Sequence, residues 1–178
     1  MNTITRSTLF RPALLALGGS LAIAASAQIQ VPMQPVPMTL QSLVVLLVGV
    51  AYGWRLGAAT VLLYLAEGLC GLPVFASFRA GPAALMGPTA GFLIGFVPAA
   101  ALAGWLAARG WARGLWRPAA LFAAGHIVLF ATGTAWLAWL FGLDRAVAVG
   151  LLPFLPGSAV KVALGVALLA GLRGLRRA

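Results

Sequence analysis

From Thr89 to Ala108 no residue carries a charge, and the run closes on Arg109, Arg113 and Arg117. A helix of that length matches the hydrocarbon of a bilayer, where about 20 residues cross ~30 Å. The rest of the chain has the same character. With 62% hydrophobic and 8% charged residues among 178, there is too little polar surface to cover a soluble domain. The expected fold class is an all-α integral membrane protein made of one domain, with partly structured external loops.

Arginine, proline and glycine cut the chain into six apolar segments, at about 9–27, 39–53, 56–71, 89–108, 118–141 and 158–172. The first looks like a secretory signal, with Arg6 and Arg11 ahead of the apolar run from Ala13 to Ala25 and Ala25-Ser26-Ala27 at its end. It reads instead as a membrane helix. Its removal would leave an odd number of spans and carry the basic carboxyl end to the opposite side from the other arginine-rich loops. Within it Gly18, Ala22 and Ser26 recur every four residues, as do Ser20 and Ala24. Small residues at that spacing admit a second helix closely, so these five form a candidate face for docking a partner; ordinary packing within the chain gives the same pattern. The second and third segments are near the short limit for a span and part at Gly53-Trp54-Arg55.

Alternating the sides of six spans puts Arg6, Arg11, Arg55, Arg109, Arg113, Arg117, Arg173, Arg176 and Arg177 on one face, and only Arg79 and Arg145 on the other. Positive residues collect in the cytoplasm, so both termini are expected inside. The proline-rich stretch 28–38, the broken stretch 73–88 and the approach to the last helix are then outside. That scatter of arginines also forms no basic face, which argues against nucleic acid as a partner despite a net charge of +10.

The polar residues that remain gather on the outer side. Pro153, Pro156 and Gly157-Ser158 precede a helix expected to start near Ser158, and one turn inside it stands Lys161, the only lysine. An ammonium beside so apolar a segment is costly unless it meets water, an anion or a ligand. Gln34, Thr39, Gln41, Ser77, Arg79 and Thr89 fall on the same side, with Phe75, Phe78, Met86, Phe92 and Phe154 as possible walls. Few polar groups in an apolar pocket is the pattern of a small-molecule site.

Other chemistries fare worse. The two carboxylates, Glu67 and Asp144, lie in separate segments; Asp144 reads as a solvated partner of Arg145, and Glu67 has no evident partner. One histidine, His126, excludes a His-rich metal site and reads as a packed side chain bonded inside the bundle. Cys70 is alone and reads as a small apolar packing residue. There is no Walker phosphate loop, so the chain does not itself hydrolyse ATP. No base stands beside a nucleophile, and an enzyme, a bound metal or a cofactor is not expected.

Four segments, VPMQPVPMTLQSLVVLLVG, GLPVFASF, GPTAGFLIGF and LPFLPGSAVKVAL, resemble in order and spacing the hallmark segments of the BioY family, from Val31 to about Leu164. BioY proteins are the biotin-binding S components of energy-coupling factor (ECF) transporters. The resemblance implies six membrane helices, biotin held near the outer surface, and as partners a coupling transmembrane protein and ABC-type ATPases. It also implies that Lys161 contacts the ligand. Three residues earlier the family usually has aspartate and this chain has Ser158, so a charged neighbour of Lys161 is lost. The candidate substrate-binding set is Lys161, Ser158, Arg79, Ser77, Gln41, Thr89, Phe92 and Phe154. Alternatives are a carrier for another carboxylated vitamin, a biotin carrier acting alone as a homo-oligomer, and a structural membrane protein without ligand; membrane lipid is a partner in each.

Overall fold

The structure, a computed structural model, describes residues 3–175. Arg176 and Arg177 lie outside the described residues, as does the side chain of Arg6. Helix α1 (Thr3–Gln28) leads to strand β1 (Gln30–Val31), which pairs antiparallel with β2 (Met38–Thr39), Gln30 opposite Thr39 and Val31 opposite Met38. The proline-rich loop is thus pinned at its neck. Its prolines, which have no N–H to give a ladder, fall between the paired residues. Then come α2 (Gln41–Leu69), α3 (Ala90–Leu106), α4 (Trp116–Phe141), α5 (Leu143–Gly150) and α6 (Phe154–Leu175). Two single 3₁₀ turns, Ala76–Phe78 and Pro82–Leu85, join α2 to α3, and one wide π turn, Ala107–Trp111, follows α3. Among the described residues five helices, all but α5, are long and apolar enough to cross a membrane.

α2 is not one rod. Gly53 has φ 79° and ψ 171°, outside the helical region, and a Cβ on Gly57 would stand 2.9 Å from the Gly49 Cα. In an unbroken helix eight residues span about 12 Å. The chain therefore doubles back at Gly53 into antiparallel limbs, 41–52 and 54–69, at the Gly53-Trp54-Arg55 stop the sequence marks. α3 closes on this fold. A Cβ on Gly49 would collide with the Ala100 carbonyl, and one on Gly104 with the backbone of Gly53 and Trp54. Lipid is as apolar as leucine, so close backbone approach rather than hydrophobic force holds such helices together.

α1 packs on both limbs, with Gly19 against Tyr52 and Thr60. The five small residues read as a docking face do not share one. Ser20 is fully buried and donates to the Glu67 carboxylate, which is the missing partner of that acid; Ser26 is buried and donates to the Ile23 carbonyl at 2.8 Å. Gly18 and Ala22 are exposed and Ala24 is intermediate. Four residues overshoot one helical turn by roughly 40°, so a row at that spacing drifts around the helix and Ser26 arrives inside. The Ser20 bond carries a prediction. Glu67→Gln keeps an acceptor and melts near the wild type in detergent, whereas Glu67→Leu leaves the hydroxyl unpaired and costs about 1–3 kcal/mol.

Three further expectations are corrected. α6 begins at Phe154 rather than Ser158, because Pro156 falls in its first turn, where N–H groups have no intrahelical acceptor to lose. The stretch after α4 is helical as α5, with Asp144 in its first turn, where the helix dipole favours an acid; Arg145 lies over the Phe141 ring, 5.3 Å from its centroid. Cys70 is exposed beyond the end of α2 rather than packed.

Candidate functional site

A cavity opens at the end of the bundle that carries the β1–β2 loop. The loop contributes Val36, Pro37 and Thr39; the first limb of α2, Gln41 and Ser42; the turns after α2, Phe75, Ala76, Arg79 and Ala84. Thr89 stands at the head of α3, which adds Phe92, Leu93 and Phe96, while α4 adds His126, Leu129 and Phe130, and α6 adds Phe154, Ser158 and Lys161. Every membrane-long helix except α1 supplies part of the wall.

Lys161 is 8% exposed, although it is the chain's only lysine. Its Nζ donates to Ser42 Oγ at 3.0 Å, and that oxygen lies 3.5 Å from His126 Nε2. On its other side the imidazole Nδ1 is 2.9 Å from the Phe122 carbonyl. No carboxylate lines the cavity among the described residues, so the partners of the amine here are neutral. Ser158, three residues before Lys161, is on the same helix face and is also buried. Gln41 is buried, and its Nε2 has no partner among the described residues. Thr89 Oγ1 donates to the Ala84 carbonyl at 3.4 Å.

The apolar walls are set from behind by glycine. Phe92 stacks on Phe154 with centroids 5.9 Å apart and planes at 22°, and it rests in the space a side chain on Gly133 would fill. Phe75 fills the matching space over Gly68 and meets Tyr64 edge-on, with centroids 5.5 Å apart and planes at 82°.

Seven of the eight candidate residues therefore meet at one cavity: Lys161, Ser158, Arg79, Gln41, Thr89, Phe92 and Phe154. Ser77 does not. It lines a second, shallower hollow with Gln30, Gln34 and the loop prolines, and accepts from Gln30 Nε2 at 2.9 Å. Arg79 borders both hollows. Phe78 and Met86, expected as walls, are 69% and 75% exposed and face away. The reason lies in the backbone. Ser77 and Phe78 both adopt left-handed conformations, φ 59° and 56°, which reverses the turn and throws the Phe78 ring outward. Gln28 at the end of α1 braces that turn, donating to the Phe75 carbonyl at 3.0 Å and accepting from the Phe78 N–H at 3.2 Å.

Ser42 and His126 are the residues sequence reasoning missed. Ser42 follows Gln41 directly and looks like one more polar residue at a helix start. His126 was available as the chain's single histidine, but its role depends on a contact with a residue 84 positions away.

Such an arrangement defines a class: a multi-span membrane protein with an apolar, cation-bearing cavity at one end. The chain belongs to the BioY family, whose sequence pattern matches residues 1–178. It is 43% identical over 145 residues to the biotin transporter BioY of Rhodobacter capsulatus, covering 71% of this chain and 73% of that one. It is 39% identical over 148 residues to the probable biotin transporter BioY of Pyrococcus horikoshii, covering 83% and 87%. In fold it is similar to the crystal structure of an S-component for biotin from an ECF-type ABC transporter, with a TM-score of 0.76, 23% identity, and coverage of 98% of this chain and 95% of that one.

Proposed function

We propose that this protein captures biotin for uptake across the cytoplasmic membrane as the substrate-binding S component of an ECF transporter. ATP hydrolysis then belongs to partner ATPases, coupled through a transmembrane partner. The observation that carries the reading is the buried Lys161 amine facing an apolar cavity without a lining carboxylate, in a chain of the BioY family. Biotin's carboxylate supplies the absent anion, its thiophane ring and valeryl chain lie among Phe75, Phe92 and Phe154, and its ureido group is served by Gln41, Ser158 and Thr89.

In this reading the two limbs of α2 count as separate spans, giving six, with both termini in the cytoplasm and the cavity outside. Charge and aromatic placement support that orientation. Arg55, Arg109 and Arg117 lie over Trp54, Trp105 and Trp116 at 4.9, 3.4 and 5.6 Å from the ring centroids, all at the end opposite the cavity. Indoles sit at membrane interfaces and arginines favour the cytoplasmic one.

The test is a binding isotherm on purified protein. Biotin saturates one site, while thiamine and riboflavin do not compete. Biotin methyl ester, which has no charge to offer, binds more weakly than biotin to the wild type and no more weakly than biotin to Lys161→Ala. Absence of biotin binding overturns the function; an ester penalty that survives in Lys161→Ala moves the carboxylate to another cation, of which Arg79 at the cavity rim is the one at hand.

A further inference from the structure

Lys161, Ser42 and His126 come from three elements, α6, the first limb of α2 and α4, and meet on one wall of the cavity. We propose that Ser42 and His126 are positioning residues that fix the Lys161 ammonium so that its remaining protons face the bound solute. The proposal deepens the reading of that amine as biotin's anchor and rests on it.

With the imidazole neutral, the donors and acceptors fall into one order. A backbone carbonyl only accepts, so His126 Nδ1, 2.9 Å from the Phe122 oxygen, carries the proton of the neutral ring. Nε2 is then bare and can only accept. The group 3.5 Å from it is the Ser42 hydroxyl, which has a single proton to give. With that proton directed at the imidazole, the lone pairs of the hydroxyl are turned to Lys161 Nζ at 3.0 Å. The chain runs from ammonium to hydroxyl to imidazole to carbonyl, each donor with one acceptor. An ammonium has three N–H groups. One is held by Ser42, and two remain for the cavity.

What this arrangement provides is preorganisation. A lysine side chain has many rotamers, and a ligand that had to order one on binding would lose affinity to that ordering. The His126 ring is itself held, with Phe130 tilted against it at 6.4 Å between centroids. Neither Ser42 nor His126 needs to touch the solute's charge to influence how well it binds.

The chain has one histidine, so selectively labelled protein gives one imidazole in ¹⁵N NMR. In ligand-free protein the expected spectrum is that of the Nδ1–H tautomer, with the Nε2 resonance shifting in Ser42→Ala and in Lys161→Ala. In binding, Ser42→Ala weakens biotin roughly tenfold, the loss of one hydrogen bond, and Ser42→Thr, which keeps the hydroxyl, restores it. In a Lys161→Ala background Ser42→Ala has no further effect, because the residue it positions is gone. An Nε2–H ring, or an Nε2 resonance indifferent to Lys161, overturns the relay; so does a Ser42→Ala loss that is the same with and without Lys161. Failure of the wild type to bind biotin defeats the functional reading instead, and the tautomer of the ligand-free protein still decides the relay.

Discussion

Lys161→Ala removes most of the affinity for biotin, whereas Lys161→Arg removes much less. Truncating one member of a desolvated charge pair costs about 2–5 kcal/mol, or roughly 30-fold to several thousandfold in Kd. The upper part of that range applies here because the cavity offers nothing in exchange. Among the described residues no other cation of the cavity lies as deep, since Arg79 stands at the rim with its Nε bonded to the Ala76 carbonyl at 3.2 Å. Arginine keeps the charge, but its planar fork cannot reproduce the single short bond that lysine gives Ser42, so some loss remains. Titration of purified variants with biotin is the measurement. Equal affinity in the wild type and the alanine variant would remove Lys161 from the site.

At the opposite end, Gly104→Leu prevents the protein from reaching its native packing, and Gly104→Ala and Gly49→Ala lower its thermal stability. A Cβ at either position meets backbone, not the movable end of a side chain. The helices must then separate, and overpacking of this kind costs about 1–3 kcal/mol for the smallest insertions and more for larger ones. Gly18→Ala is the control, since nothing stands within 4 Å of its Cβ, and it melts like the wild type. A Gly49→Ala variant as stable as wild type would mean that α3 does not close on the first limb of α2 as described. The two classes of variant separate cleanly: Lys161 changes affect binding with little change in melting, and the glycine changes affect melting first.

The parts of this molecule that could be read from sequence are those governed by short-range rules. Uncharged runs bounded by arginine mark helices, and Gly53-Trp54-Arg55 marks the reversal because glycine alone adopts its backbone angles without strain. Lys161 announces itself because a lone ammonium in an apolar run has few comfortable places. What was missed depends on tertiary contact. Ser42 and Lys161 are 119 positions apart, so no spacing rule could pair them, and Ser20 finds Glu67 across 47. α5 escapes such rules because eight residues between two long helices give too short a pattern to recognise. Phe78 and Met86 have the composition of pocket walls, yet a backbone reversal that sequence does not disclose turns Phe78 away.

The Phe92 ring has one further implication. It leans back into a recess kept vacant by residue 133, which does not itself border the cavity. The gap between the two stacked phenyl groups is therefore governed at a distance, from the lipid-distal backing of α4. Adding even a methyl there would push the ring forward and constrict the bore, so that solute preference can be retuned while all the groups that touch the solute stay the same.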